Sequence, residues 1–469
     1  MKRILAALVL LAVATAGFPA EEWLGIYMQG AKMGYSSSAE AEGGWDGTPG
    51  RHSTSLSVID TVLLGTRLQM RIEGKSWFDG QGLPQRMEYR VESGGRVSEV
   101  VVVFKGGEAH VTSTLAGKST TKVLKMPEGK RFLTDPTVDL LGHGAPQGEI
   151  EFVTFDPNLL ALIEGKAHYI GRQKTKVGDL TVEAHVIQID DPRANMKVYV
   201  SQKGDMIKAT GPFGIEMFPE PKEMAMDLAS APGEGPDIAF ATAIKPDKPI
   251  RNARNSTSLT MRVSGPDLSN LRTKGHQTLK KDGDAWILTV HPVLPDPKKS
   301  LTIAEAAKRM PQWTRAESRI QSDSAQFKSL AKKIVGDRTN VVEAAEQVRK
   351  YVYSIIRANA GIGMIRDAGE ILETKEGVCR DHAVLSATIM RAAGIPTRLA
   401  SGLVYAQGRF FYHAWVEVYD GARWIGFDST RDATRLSATH IKTGQGTIEQ
   451  AYSSFLLEGV RFEVLEVRS

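Results

Sequence analysis

At 469 residues the chain is too long for one ordinary domain, and 42% hydrophobic with 24% charged residues is the balance of a globular protein rather than a disordered one. The formal charge of +5 is weak for this length, and no Lys/Arg-rich run is interleaved with aromatics, so no nucleic-acid partner is expected. A single cysteine, Cys379, excludes an internal disulfide.

Residues 1–20 read as a signal peptide. Lys2 and Arg3 precede the apolar stretch Ile4 to Val13, and Ala14-Thr15-Ala16 supplies a small-x-small cleavage site, with Ala20 as the alternative. The apolar stretch is shorter than the roughly 20 residues of a spanning helix, and no later segment is apolar enough to cross a bilayer. The expectation is a periplasmic or secreted protein with no stable membrane insertion after cleavage.

Residues 21–230 read as an antiparallel β-rich domain. Trp23 to Met28 forms a strand that turns at Gln29-Gly30. Leu68 to Ile72 alternates apolar and polar side chains, and Val100 to Phe104 is a continuous apolar strand. Val182 to Ile189 and Lys197 to Val200 follow. Strands repeated between Gly-containing turns predict a large antiparallel sheet, curled toward a partial barrel. Residues 231–300 read as a Pro/Gly/Ala-rich linker followed by a small β subdomain, with strands at Ser256 to Val263 and Ala285 to Val290.

From residue 301 to 469 the period becomes helical. Val341, Ala345, Val348, Val352 and Ile355 share one face, with Thr339 or Asn340 as N-cap. A second helix runs from about Cys379 to Ala393 and is stopped by Gly394 and Pro396. Strands at Thr397 to Tyr405, Phe410 to Tyr419 and Arg423 to Phe427 complete an α+β domain.

Cys379 therefore opens a helix, where backbone N–H groups and the helix dipole favour thiolate over thiol. On the strand after it, His413, Trp415 and Glu417 share one face. Asp420-Gly421 signals a two-residue hairpin, which sets Tyr419 against Ala422 and His413 against Asp428, with Cβ atoms about 5 Å apart. A four-residue loop would shift this register by two and keep both side chains on one face. A thiol, an imidazole and a carboxylate in that order are the parts of acyl transfer through a thioester. His382, one turn after Cys379, has no evident partner for its second nitrogen. His440 reads as a surface or packing residue.

Four blocks together resemble the transglutaminase-like superfamily: Glu376 to Ala383 (EGVCRDHA), Arg391 to Arg398 (RAAGIPTR), His413 to Val418 (HAWVEV), and Trp424 to Thr430. The resemblance spans roughly residues 310 to 435. It implies a papain-like core with catalytic Cys379, His413 and Asp428. His382 stands where an aromatic or aliphatic residue is common, and Asp428-Ser429-Thr430 replaces the usual Asp-Pro-Thr. Tyr351 and Tyr353 are weak candidates for completing an oxyanion hole. The β-rich region also looks like segments that precede such domains in exported bacterial proteins.

The fold expected is α+β: a papain-like transglutaminase core at the C-terminus, preceded by a large antiparallel β domain and a small β subdomain. The expected function is exported cysteine acyl transfer on peptide or protein amide bonds, hydrolytic by preference, with protein-glutamine amine transfer (cross-linking) as the alternative that the same triad permits. A non-catalytic envelope scaffold is the alternative from another class. No cofactor is expected. No oxygen-rich loop suggests calcium and no Cys/His cluster suggests zinc. Substrate identity and oligomeric state stay open.

Overall fold

The structure, a computed structural model, describes residues 21–141, 148–228, 235–265, 268, 271, 275–452 and 457–469. The signal peptide at 1–20 and linker positions 229–234 lie outside the described residues. The chain divides into two compact units, one formed by residues 21–241 with Ala360–Met364, the other by Thr242–Asn359 with Ile365–Ser469.

The first unit is one sheet of 15 described strands. Glu22–Met28 lies in its middle, between Ala31–Glu42 and Ile215–Pro219. On one side the strands run outward in sequence order to Lys118–Lys125 at the edge, and on the other in reverse sequence order to Arg131–Phe132. Pairing is antiparallel except where Arg131–Phe132 meets Glu149–Asp156. Gln29 and Gly30 turn the first hairpin at φ +52° and +82°, the conformation such a turn requires. The sheet curls so that its halves share a core. Phe78, Met87, Val100 and Val102 pack in one cluster with Phe132, Val153 and Phe155. The Tyr89 and Phe155 rings lie 5.9 Å apart. Gly363 belongs to this unit and donates its N–H to Ser93 Oγ at 2.8 Å.

The second unit carries helices α1 (Ala325–Val335), α2 (Val341–Ile355), α3 (Ala368–Thr374) and α4 (Cys379–Ala392). It also carries strands β1 (Thr397–Ala406), β2 (Arg409–Tyr419), β3 (Trp424–Phe427) and β4 (Ile441–Gly446). The strands form an antiparallel sheet in the order β3-β2-β1-β4. Asn340 caps α2, its side chain accepting from the Val342 and Glu343 N–H groups. Nearly every side chain of α4 is buried between α1, α2 and the sheet. Gly394 ends it at φ +83°, and Pro396 prevents its continuation.

The segment read as a linker and small β subdomain does not stand alone. Its strands, ordered Gln277–Asp282, Ala285–Val290, Ser258–Ser264, are joined by Arg461–Arg468 from the far end of the chain. Leu259, Met261 and Leu288 share a core with Leu403 and Phe410 of β1 and β2. Ile244, in the Pro/Gly/Ala-rich stretch, exchanges both backbone hydrogen bonds with Phe410. Fewer elements are helical than strand, so the chain as a whole is mostly β and the α+β label describes its second unit alone. Among the described residues no helix is long and apolar enough to cross a membrane.

Candidate active site

Cys379 is the first residue of α4, preceded by extended Val378, and is half-buried. An N–H at this position has no intrahelical acceptor and remains available to an anion. The approach is braced by Asp381. Its carboxylate accepts from the Val378 N–H at 2.9 Å and from Arg380 Nε at 3.1 Å, with Arg366 Nη2 at 3.5 Å. Burial pushes the Asp381 carboxyl up, but Arg380 and Arg366 outweigh it, and the group is held below the ordinary carboxylate range.

His413 projects from β2 and its Nε2 lies 2.9 Å from Asp428 Oδ2. Its other nitrogen, Nδ1, is left for Cys379, whose sulfur is within hydrogen-bonding reach. Burial pushes the His413 imidazole down. The Asp428 charge and hydrogen bond, with Cys379, more than reverse this and raise it to about 10. Burial likewise opposes ionisation of Asp428, yet His413 and His440 hold its carboxyl well below its usual value. The other Asp428 oxygen, Oδ1, accepts from the Thr430 N–H at 2.9 Å and hydroxyl at 2.7 Å.

The structure thus brings Cys379, His413 and Asp428 together, by a register that differs from the two-residue hairpin. Tyr419 pairs with Trp424, leaving a four-residue loop. Asp420 is the cause: it is fully buried, and its Oδ1 accepts from the Ala422 and Arg423 N–H groups at 2.9 and 2.7 Å. The side chain serves as part of the turn. Continued past Val416–Phe427, the register sets Asp428 against Trp415. It is therefore diagonal to His413, on the same face, rather than directly opposed.

His382 is buried and turned back on its own helix start, with Nδ1 3.1 Å from the Val378 carbonyl. Burial lowers its affinity for a second proton. Tyr353 is exposed on α2. The residue that the sequence reading missed is His440. Of the two readings, surface or packing, burial fits the second: it is wholly buried, and its Nε2 lies 3.3 Å from the same Asp428 oxygen that receives His413. Trp415 stacks on His413 at 6.2 Å and presents an edge contact to His440 at 5.4 Å. The ligand-capable atoms of His413, Asp428 and His440 lie within 4.8 Å of one another. A cation there would have to displace the N–H protons that the two N···O separations accommodate.

Residues 328–429 match the family model described as the transglutaminase-like superfamily. This segment is a transglutaminase-like core. An uncharacterized protein of Mycobacterium leprae is 31% identical over 87 residues, covering 16% of this chain and 30% of that protein, so the chain spans under a third of that relative's length. A solved structure described as a "putative cysteine protease" from Cytophaga hutchinsonii shares 19% identity, covering 46% of this chain and 86% of its own, at a TM-score of 0.32. Another, a "putative protease" from Parabacteroides distasonis, shares 11% over 77% of this chain and 70% of its own, at 0.21. Cys379, His413 and Asp428 all fall within the transglutaminase-like core, whereas His440 lies beyond the matched residues.

Proposed function

We propose that the protein is an exported cysteine hydrolase that cleaves amide bonds in peptides or proteins. Cys379 is the nucleophile, His413 the general base and acid, and Asp428 the group that orients His413. The observation that supports this most is the division of the His413 ring, with Nε2 on Asp428 at 2.9 Å and Nδ1 left for a cysteine at a helix N-terminus.

In this reading the Cys379 proton resides on His413, and the thiolate attacks the amide carbonyl. The oxyanion of the tetrahedral intermediate takes the Cys379 N–H as one donor. The His413 imidazolium then protonates the leaving amine, and the acyl group stays on sulfur as a thioester. Neutral His413 next accepts a proton from water, which attacks the thioester and releases the acid. Finally His413 returns to the imidazolium paired with thiolate. A primary amine in place of water would give a cross-link. Hydrolysis is favoured by the resemblance to exported bacterial members.

The test is incubation of the leader-free protein with a peptide library, with and without a primary amine, beside Cys379→Ala. Cleavage by the wild type alone is the expected result. Products identical in both proteins would sink the enzyme reading, and amine incorporation would replace hydrolysis by acyl transfer to amines. Fractionation of cells expressing the full chain tests export, with the processed protein expected outside the cytoplasm.

A further inference from the structure

We propose that His440 is a positioning residue of this site, donating its Nε2–H to Asp428 Oδ2 so that the carboxylate facing His413 stays ionised and fixed. The inference rests on the reading of Cys379, His413 and Asp428 given above.

The proton positions follow from the partners. Asp428 Oδ2 only accepts, so the 3.3 Å contact is a bond when Nε2 carries hydrogen and a repulsion between lone pairs when it does not. On the other side of the ring, Nδ1 lies 3.2 Å from the Ser437 hydroxyl, which can donate to it. The Ser437 carbonyl is also 3.2 Å away, and it would favour the opposite tautomer at the cost of that repulsion. The Ser437 hydroxyl also lies 2.8 Å from Thr439 Oγ1, which can donate to it and leave its own hydrogen for the ring. The ring is neutral: burial pushes it down, and the nearby His413 and Arg431 add to that, against the upward pull of Asp428.

His440 is held from a third element. His276, just before the strand Gln277–Asp282, places Nε2 3.2 Å from the His440 carbonyl. Its Nδ1 faces Glu417 Oε1 at 3.8 Å, and burial, aided by Lys442, lowers His276 to about 4, so it donates as a neutral ring. Gln277 clamps the backbone of Lys442 by two bonds, at 2.7 and 2.8 Å. The small sheet thereby sets where His440 stands. With His440 in place, Asp428 receives four donors: His413 and His440 on Oδ2, and the Thr430 N–H and hydroxyl on Oδ1. Each donor to a buried carboxylate favours its charged form.

Two measurements on the full chain decide the matter. In the ¹⁵N-histidine-labelled protein, His440 is expected as the neutral Nε2–H tautomer between pH 6 and 8, and the Nδ1–H tautomer overturns the proposal. The second is the pH profile of Cys379 alkylation by iodoacetamide in His440→Phe and His440→Gln. Phenylalanine removes the donor, while glutamine keeps an N–H near the same place. The acid limb in His440→Phe is expected about one pH unit higher, a roughly tenfold slower reaction on that limb, because a charge-assisted bond to Asp428 is lost. His440→Gln restores the wild-type limb. A folded His440→Phe protein with an unmoved limb refutes the positioning role. Where His440→Phe fails to fold, the wild-type tautomer still decides. Neither readout needs a substrate. Inactivity toward every peptide would remove the proposed reaction without touching this inference. An unreactive wild-type thiol beside a normally titrating His413 would remove the site reading, leaving the tautomer to judge His440.

Discussion

Ser386, on the helix that Cys379 opens, and Ser429, the residue after Asp428, meet hydroxyl to hydroxyl at 2.7 Å in the buried core. Ser429 occupies the position where related cores usually have proline. The pair ties the helix of the nucleophile to the segment of the orienting carboxylate. Removing either hydroxyl leaves a buried partner unsatisfied, so Ser386→Ala and Ser429→Ala should each cost about 1–2 kcal/mol. The double variant should cost less than the sum, with about 1 kcal/mol of coupling. Urea denaturation of the four proteins checks the cycle, and strict additivity would show that the hydroxyls act independently.

The His413–Asp428 pair makes stability depend on pH with a definite sign. His413 is raised in the folded state to about 10, so its contribution is fully present below its unfolded value near 6.5 and is lost as pH rises through about 10. Asp428 is lowered, so its contribution is present above its unfolded value near 4 and is lost as pH falls through the folded value. Denaturation midpoints from pH 5 to 10.5 should therefore decline above about pH 6.5. In Asp428→Asn the charge that chiefly holds His413 up is gone, and burial is opposed by Cys379 alone. The decline between 6.5 and 10 should flatten relative to wild type, and parallel pH slopes in the two proteins would contradict this assignment.

What the sequence revealed was what is local. The start of α4 at Cys379, the Asn340 cap and the Gly394–Pro396 stop are written within a few residues of where they act. The shared face of His413 and Asp428 survived a wrong loop length because the true loop differs by two residues and strand period is two. The length itself was hidden because Asp420 closes the turn with a buried side chain, a tertiary circumstance that the Asp-Gly pair does not encode. His440 was invisible for a stronger reason. It follows β3 in an irregular stretch with no periodicity, and its role comes from packing against Asp428, Trp415 and His276. The pairing of Ser258–Ser264 with Arg461–Arg468 is likewise nonlocal, so neither segment announces the other.

Glu417 anchors a buried charge cluster under the site. Its Oε1 receives Lys442 Nζ at 2.7 Å and its Oε2 receives Arg398 Nη2 at 2.7 Å, with Glu417 and Lys442 each only 1% exposed. Burial opposes its charge, and Lys442, Arg398 and His276 together restore it. Glu417→Ala strands Lys442 in the core without its carboxylate and should cost about 3–5 kcal/mol. Lys442→Met leaves Glu417 still paired with Arg398 and should cost clearly less. Guanidinium denaturation gives the order directly. A larger loss from Lys442→Met would mean that the cluster is organised around the lysine instead.

Gly377 shows how closely the Cys379 helix start is fitted. A Cβ on Gly377 would lie 2.5 Å from Asp381 Cβ and 2.7 Å from both Cγ and Oδ2. Asp381 cannot retreat without giving up the Val378 N–H and Arg380. The strain must then be relieved by moving the residues between them, and Cys379 is one. Gly377→Ala should destabilise the protein by about 1–3 kcal/mol, the usual cost of overpacking. It should also slow Cys379 alkylation at pH 7, because the sulfur shifts relative to His413 Nδ1. Melting curves and alkylation rates on the same preparation separate the two effects. A variant that is destabilised yet alkylates at the wild-type rate would mean that the helix start relaxes without moving the thiol.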